Sequence, residues 1–215
     1  MTAPAIAAQA AARAKPGSLS RRLVRRKVAA ASPSRETLAA EFLALCELDP
    51  GVDAVEAGGV ATLIIGEEAV SHEVDFAVIR QGVKSLVDIV ADADLPHHPL
   101  AAALVAGDLR TVDGHSFAVE TSATIRAEPR YTTMKLILAC RRTLVSAGDR
   151  VRILHHLSES GTAPLVECAA VVQNAPDGVA AVLALVLEGL IEMDITRPIL
   201  PETPLRRRKL PRPET

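Results

Sequence analysis

Asp75, in the run His72-Glu73-Val74-Asp75-Phe76, and Asp88, in Ser85-Leu86-Val87-Asp88-Ile89-Val90, are the residues of this chain whose types and spacing could do chemistry. Both runs are rich in β-branched residues and are separated by a charged, Gly-containing turn, so they are expected to form the two arms of a hairpin. Side chains alternate between the faces of a strand, so positions 88 and 90 share one face, and the hairpin sets that face beside Asp75. Carboxylates that converge there can hold Mg²⁺ and activate a water molecule, and a Lys two residues after the second carboxylate would steady the attacking hydroxide. In this chain the Lys position is Val90. Either the site is silent or its missing groups come from elsewhere.

The elements that must position these residues can be read from periodicity and turn chemistry. Residues 1–33 are rich in Ala, Arg, Pro and Ser, weakly periodic, and expected to form a flexible arm. Ser34 is a candidate N-cap for a helix over 35–48 with Leu38, Phe42, Leu45 and Leu48 on one face, ended by Asp49-Pro50-Gly51. Strands are expected over 60–65, 72–79 and 84–90, a helix over 100–107, a strand over 116–121 and a longer helix over 131–147 that stops at Gly148. Helix, three-stranded meander, helix, strand and helix together predict an α/β domain over 34–148.

From residue 149 the pattern changes to three helical segments, marked by Val151, Leu154 and Leu157, then 165–172, then 179–187. Strand-like stretches at 190–195 and 200–207 follow. This is the order of an α+β winged-helix domain over 149–205, with a basic tail over 206–215. The third helix, which in DNA-reading winged helices carries the base contacts, has no Lys or Arg. It lacks the side chains that read a major groove, so a protein partner is expected on Val179, Leu183 and Val186.

Composition narrows the classes further. The chain has 215 residues, 49% of them hydrophobic, which is ample for a core, but only 2% are aromatic, so base-stacking platforms for single strands are not expected. Net charge is −2, yet no acidic residue precedes Glu36, while Arg21, Arg22, Arg25, Arg26 and Lys27 crowd the start and Arg206, Arg207, Arg208 and Lys209 the end. Basic ends on a chain of near-neutral net charge predict contact with a polyanion, DNA phosphates above all. Cys46, Cys140 and Cys168 stand apart from one another and from His, so neither a zinc finger nor a disulfide framework is expected. No membrane-spanning run is present. The acid-free opening has some transit-peptide character, but the Ala and Arg bias of the whole chain points to a GC-rich bacterial genome and a cytoplasmic protein. Asp92, Asp94, His97 and His98 read as a solvated loop rather than a metal cluster, and His155-His156 as part of an amphipathic helix.

Taken in order, Arg25-Arg26-Lys27-Val28, Leu38-Ala39-Ala40-Glu41-Phe42-Leu43, Asp49-Pro50-Gly51-Val52, Ala57-Gly58-Gly59, His72 to Phe76, Asp88-Ile89-Val90 and Thr121 to Pro129 form a series with a familiar spacing. From about residue 22 to about residue 207 the chain resembles the TnsA-type transposon endonuclease family, which cuts the ends of certain transposons alongside a separate transposase. The family's matching segments read R-K-V, L-E-R-D-F-L, D-P-x-V, E-Q-P, H-x-P-D-F, E-V-K and T-x-x-x-I-R-x-x-P. The resemblance implies a restriction-endonuclease-like mixed-sheet core followed by a winged helix, Mg²⁺ as cofactor, and a transposase and an AAA+ ATPase as partners.

Departures from the family concentrate at the chemistry. The metal-binding Glu falls on Ala39 and the Lys on Val90, while Asp75 and Asp88 keep the other two positions. Glu36, one turn before Ala39, or Glu41 could supply a carboxylate. Lys84 could swing in from the start of its strand, although it is some four residues, on the order of 13 Å, from Asp88. Three readings follow. The preferred one is a TnsA-like subunit of a DNA-processing assembly of the transposition or recombination type, binding DNA and partners with an inactivated nuclease site. The second is an active Mg²⁺-dependent endonuclease that cuts transposon ends with Asp75, Asp88 and a substitute Glu. The third is a non-catalytic regulator or structural adaptor, acting with partners or as a homo-oligomer.

Overall fold

Ser34 opens the first helix, α1 (Arg35–Leu48), with extended backbone and a hydroxyl that accepts from the Thr37 amide at 3.2 Å. That bond satisfies one of the N–H groups a helix start leaves without a partner. Leu38, Phe42, Leu45, Cys46 and Leu48 are its buried residues, so the expected apolar face is the one that packs. The computed structural model describes residues 33–208, and the basic cluster Arg21, Arg22, Arg25, Arg26 and Lys27, together with Lys209, lies outside them.

Five strands follow: β1 (Val52–Ala57), β2 (Val60–Ile65), β3 (Glu68–Glu73), β4 (Phe76–Arg80) and β5 (Val83–Val90). A 3₁₀ turn at Leu95–His97 and helix α2 (Ala101–Ala106) lead to β6 (Leu109–Thr111) and β7 (Ser116–Thr121), and then to helices α3 (Ser122–Ile125) and α4 (Arg130–Ala139). The central sheet has four strands in the order β1-β4-β5-β7. β4 runs antiparallel to both β1 and β5, whereas β7 runs parallel to β5, so the molecule is mixed α/β with a mixed sheet. β2 and β3 form a hairpin that belongs to a separate three-stranded sheet, ordered β3-β2-β6.

The second half comprises α5 (Ala147–Ser160), β8 (Thr162–Pro164), α6 (Leu165–Ala170), α7 (Gly178–Leu187), β9 (Ile191–Met193) and β10 (Pro204–Arg207), with the strands ordered β8-β10-β9 in a third sheet. One apolar core runs from Leu38 in α1 through Ile89, Ile125, Met134 and Ile137 to Ile153, Leu157, Leu185 and Leu205. Each such fully buried aliphatic side chain is worth roughly 1.5–3 kcal/mol over leaving it in water. The described residues belong to one compact unit, and no helix among them is long and apolar enough to cross a membrane.

Several expectations need correction. The strand foreseen over 72–79 is broken at Val74-Asp75, because there the chain leaves one sheet for another: the Val74 amide donates to Gly59 O and the Asp75 amide to Val87 O. The helix foreseen over 131–147 stops at Ala139 and gives way to a 3₁₀ turn at Cys140–Arg142. Ser146 then caps a new helix by accepting from the Asp149 amide, so Gly148 sits in a first turn and terminates nothing. The buried face of α5 is Ile153 and Leu157 rather than the expected stripe, since Val151 is exposed.

The largest correction concerns α7. Ala181 through Val186 are all buried, because the helix is enclosed by α6, α4, α1 and β9. Leu183 and Val186 are therefore core residues, and of the three expected partner contacts Val179 alone is exposed. The missing Lys and Arg on this helix reflect its depth in the fold.

Candidate functional site

The break between β3 and β4 brings the two carboxylates together. Phe76 pairs with Val87 in the β4–β5 ladder, which sets Asp75 opposite Asp88, and the Asp75 amide donates to Asp88 Oδ1 at 3.4 Å. This approach needs a residue without a side chain beneath it. The Gly58 amide donates to Asp75 O at 2.8 Å, and a Cβ at Gly58 would lie 1.9 Å from Val74 O. Stacking of Phe42 on Phe76, with ring centroids 5.7 Å apart, ties α1 to the start of β4.

Asp88 is 2% exposed, and a buried carboxylate is tolerable only with donors around it. Three are supplied. Besides the Asp75 amide on Oδ1, His72 Nε2 lies 2.6 Å and His98 Nε2 3.1 Å from Oδ2. His72 comes from β3 and His98 from the turn after the 3₁₀ segment, so three separate pieces of chain meet at one oxygen. The Leu100 amide donates to His98 Nδ1 at 3.3 Å, which leaves the His98 proton on Nε2, directed at Asp88. The rings of His72 and His98 meet edge on with centroids 5.7 Å apart, and Phe117 closes on His72 at 6.0 Å.

Asp75 is engaged differently. Its Oδ1 accepts from the Arg35 guanidinium at 2.6 Å and its Oδ2 from the Ile89 amide at 2.7 Å. The Arg35 pKa is raised, first by its hydrogen bond to Asp75 and further by the negative field of Asp75, Asp88 and Glu73, with burial opposing. These groups surround a cavity of about 630 Å³, whose wall includes Arg35, Gly58, His72, Asp75, Asp88 and His98. Val90, which the resemblance sets at the Lys position, and Ala91 also line it.

The proposed substitutes lie elsewhere. Lys84 Nζ is 3.0 Å from Glu56 Oε2 on β1, outside the cavity wall. Glu41 accepts from Arg126 at 2.7 and 2.9 Å and from the Tyr131 hydroxyl at 2.8 Å, a pairing that anchors α1 to α3 and α4. Burial pushes the Glu41 carboxyl upward, but those donors outweigh it and hold the pKa below its ordinary value. Glu36 is exposed and does not line the cavity. The cation that reaches Asp75 is thus Arg35, which the sequence did not single out.

The donor set does not suit Mg²⁺ in the family manner. Mg²⁺ asks for a near-octahedral shell of oxygens. Here both Asp75 oxygens are already bound by Arg35 and Ile89, and Asp88 faces two imidazoles. His72, Asp88 and His98 instead form a group whose ligand atoms all lie within 4.8 Å of one another. Asp92, read with His98 as solvated loop, accepts from the Ala123 amide at 3.3 Å at the start of α3, whereas His98 turns inward.

Of the basic residues assigned to DNA contact, those described sit at the third sheet. Arg206 lies within β10 and pairs with Glu192 at 2.5 Å, Arg207 donates to the Ser158 hydroxyl at 3.0 Å, and Arg208 approaches Glu192 at 4.0 Å. The basic run therefore begins inside a strand rather than in a free tail. No protein-family model matches the chain, and no curated protein matches it.

Proposed function

We propose that this chain is a TnsA-like subunit of a DNA-processing assembly of the transposition or recombination type, in which the nuclease position no longer cleaves. The observation that carries the reading is the course of the chain around Asp75 and Asp88. A helix is followed by three antiparallel strands and a last strand parallel to the third, with the two carboxylates facing across the β4–β5 pair. That is the arrangement expected of a restriction-endonuclease-like core, and here its carboxylates are occupied by Arg35, His72 and His98. The order α5, β8, α6, α7, β9, β10 with the sheet β8-β10-β9 supports a winged helix after that core. DNA contact falls to phosphates and basic side chains, because α7 is buried. A transposase and an AAA+ ATPase are the partners this reading calls for.

Incubation of supercoiled plasmid with the purified protein and Mg²⁺ or Mn²⁺ tests the proposal, and no nicking is expected. Nicking by the wild type that disappears in Asp75→Ala would reject it in favour of an active metal-dependent endonuclease. Absence of any DNA binding at low salt would instead favour an adaptor that keeps only the scaffold.

A further inference from the structure

We infer that His72, Asp88 and His98 form a binding site for a borderline divalent transition metal of the Zn²⁺ class. Two imidazole nitrogens and one carboxylate oxygen are the ligand types such ions take, and three protein ligands beside open space leave a fourth position for water. The space is the cavity of about 630 Å³ on whose wall all three residues stand. Asp88 and His98 are nearly enclosed, with side chains 3% and 9% exposed, so the ligands are held by packing rather than gathered from solvent.

Both histidine–carboxylate separations are close to what an ion requires. Around a tetrahedral ion with ligands at about 2.0–2.1 Å, neighbouring ligand atoms sit about 3.3 Å apart. His98 Nε2 is already 3.1 Å from Asp88 Oδ2, and His72 Nε2, at 2.6 Å, must retreat by less than the width of an atom. A cation then stands where two imidazole N–H protons now point at one oxygen. Ligation through Nε2 places the His98 proton on Nδ1, so the Leu100 amide, which donates to Nδ1 at 3.3 Å, has to give up that acceptor. The Leu100 amide is therefore a built-in reporter of occupancy. The site does not rest on the transposition reading and does not require that DNA be cut.

Titration of the full-length protein with Co²⁺, a spectroscopic stand-in for Zn²⁺, tests the inference. One equivalent should give a visible d–d band, move the Leu100 amide resonance, and be displaced by Zn²⁺. His72→Ala and His98→Ala should each weaken binding by more than about 100-fold, the upper range seen when even an outer-shell partner is removed. His155→Ala, in the exposed part of α5, should change nothing. Asp88→Asn, which keeps the side-chain volume, serves if either Ala variant fails to fold. No saturable binding, binding undiminished in the His72→Ala/His98→Ala double variant, or a near-ultraviolet sulfur-to-cobalt band that places the ion on a cysteine would overturn the assignment. Plasmid nicking has no bearing on any of these readouts, so this site and the proposed function can fail separately.

Discussion

Asp149 shows how one buried side chain can fix a junction between elements. It is fully buried at the start of α5 and accepts from the Ser146 hydroxyl at 2.9 Å, the Gln173 amide at 2.8 Å, the Asn174 amide at 3.1 Å and the Arg152 guanidinium at 2.9 Å. The Gln173 amide is the foremost cause that holds its pKa down at about 2, with burial opposing and the Ser146 and Asn174 donors adding to it. A carboxyl whose pKa is lowered on folding stabilises the native state fully above its unfolded pKa, near 3.8, and that contribution drains away as pH falls toward 2. Glu41, lowered by Arg126 and Tyr131 against the pull of burial, acts with the same sign. Thermal midpoints recorded between pH 7 and pH 2 should therefore fall steeply below pH 4 in the wild type. Asp149→Asn should start from a lower midpoint at pH 7 and lose less over the acid range. An acid branch unchanged by the substitution would show that Asp149 does not carry the effect. Ser146→Ala, which removes the cap together with one donor to Asp149, should cost about 0.5–2 kcal/mol by chemical denaturation.

At the scale of elements, the crossing of the β1–β2 turn over Val74 and Asp75 is the tightest constraint on the site. A Cβ at Gly58 would meet Val74 O at 1.9 Å and the Asp75 carbonyl carbon at 2.6 Å, both backbone atoms that cannot swing aside. Gly58→Ala should cost on the order of 1–3 kcal/mol, as overpacking generally does, and should shift the amide resonances of Asp75 and Ile89 together. A variant of native stability with those resonances unmoved would show that the crossing is loose. This constraint could not be read from the sequence, where Ala57-Gly58-Gly59 looks like any small-residue turn. The elements with strong local signals were legible: Ser34 with Leu38, Phe42 and Leu45 marked α1, and short apolar runs bounded by turn residues marked β2, β5 and β7. The edge strand β1 was missed because its sequence sets two acidic residues and two Ala among only two Val, a weak strand signal, and the long helix was misjudged because an S-x-x-D start within an apolar stretch outweighed the Gly that followed. Of the site, the approach of Asp75 to Asp88 was legible from hairpin spacing. Arg35 was not, because its contact joins segments 40 residues apart, and the inward turn of His98 was not, because no periodicity in the loop marks which of its polar residues faces the site.

Across the whole molecule, charge is distributed so that the body has little to offer a polyanion. Its cations are largely matched by acids: Arg35 with Asp75, Arg80 with Asp49, Lys84 with Glu56, Arg126 with Glu41, Arg150 with Glu188, and Arg206 with Glu192. Surface pairs of this kind add little stability, but each cancels a charge that would otherwise attract phosphate. α7, the helix that would enter a major groove in a DNA-reading winged helix, is enclosed by its neighbours, so base reading has no obvious surface. The densest run of positive charge without an acidic residue in the sequence is that of residues 1–33, with Arg13, Lys15, Arg21, Arg22, Arg25, Arg26 and Lys27. Binding to a duplex should accordingly be weak, insensitive to sequence and strongly dependent on salt. Removing residues 1–33 should flatten the plot of log binding constant against log salt concentration by about 0.9 for every phosphate that the arm had neutralised. The measurement is fluorescence anisotropy on two unrelated duplexes at several salt concentrations, with the full-length and truncated proteins side by side. An unchanged slope would place the phosphate-binding cations on the body instead. Tight binding to only one of the duplexes by the truncated protein would mean that bases are read by a surface other than α7.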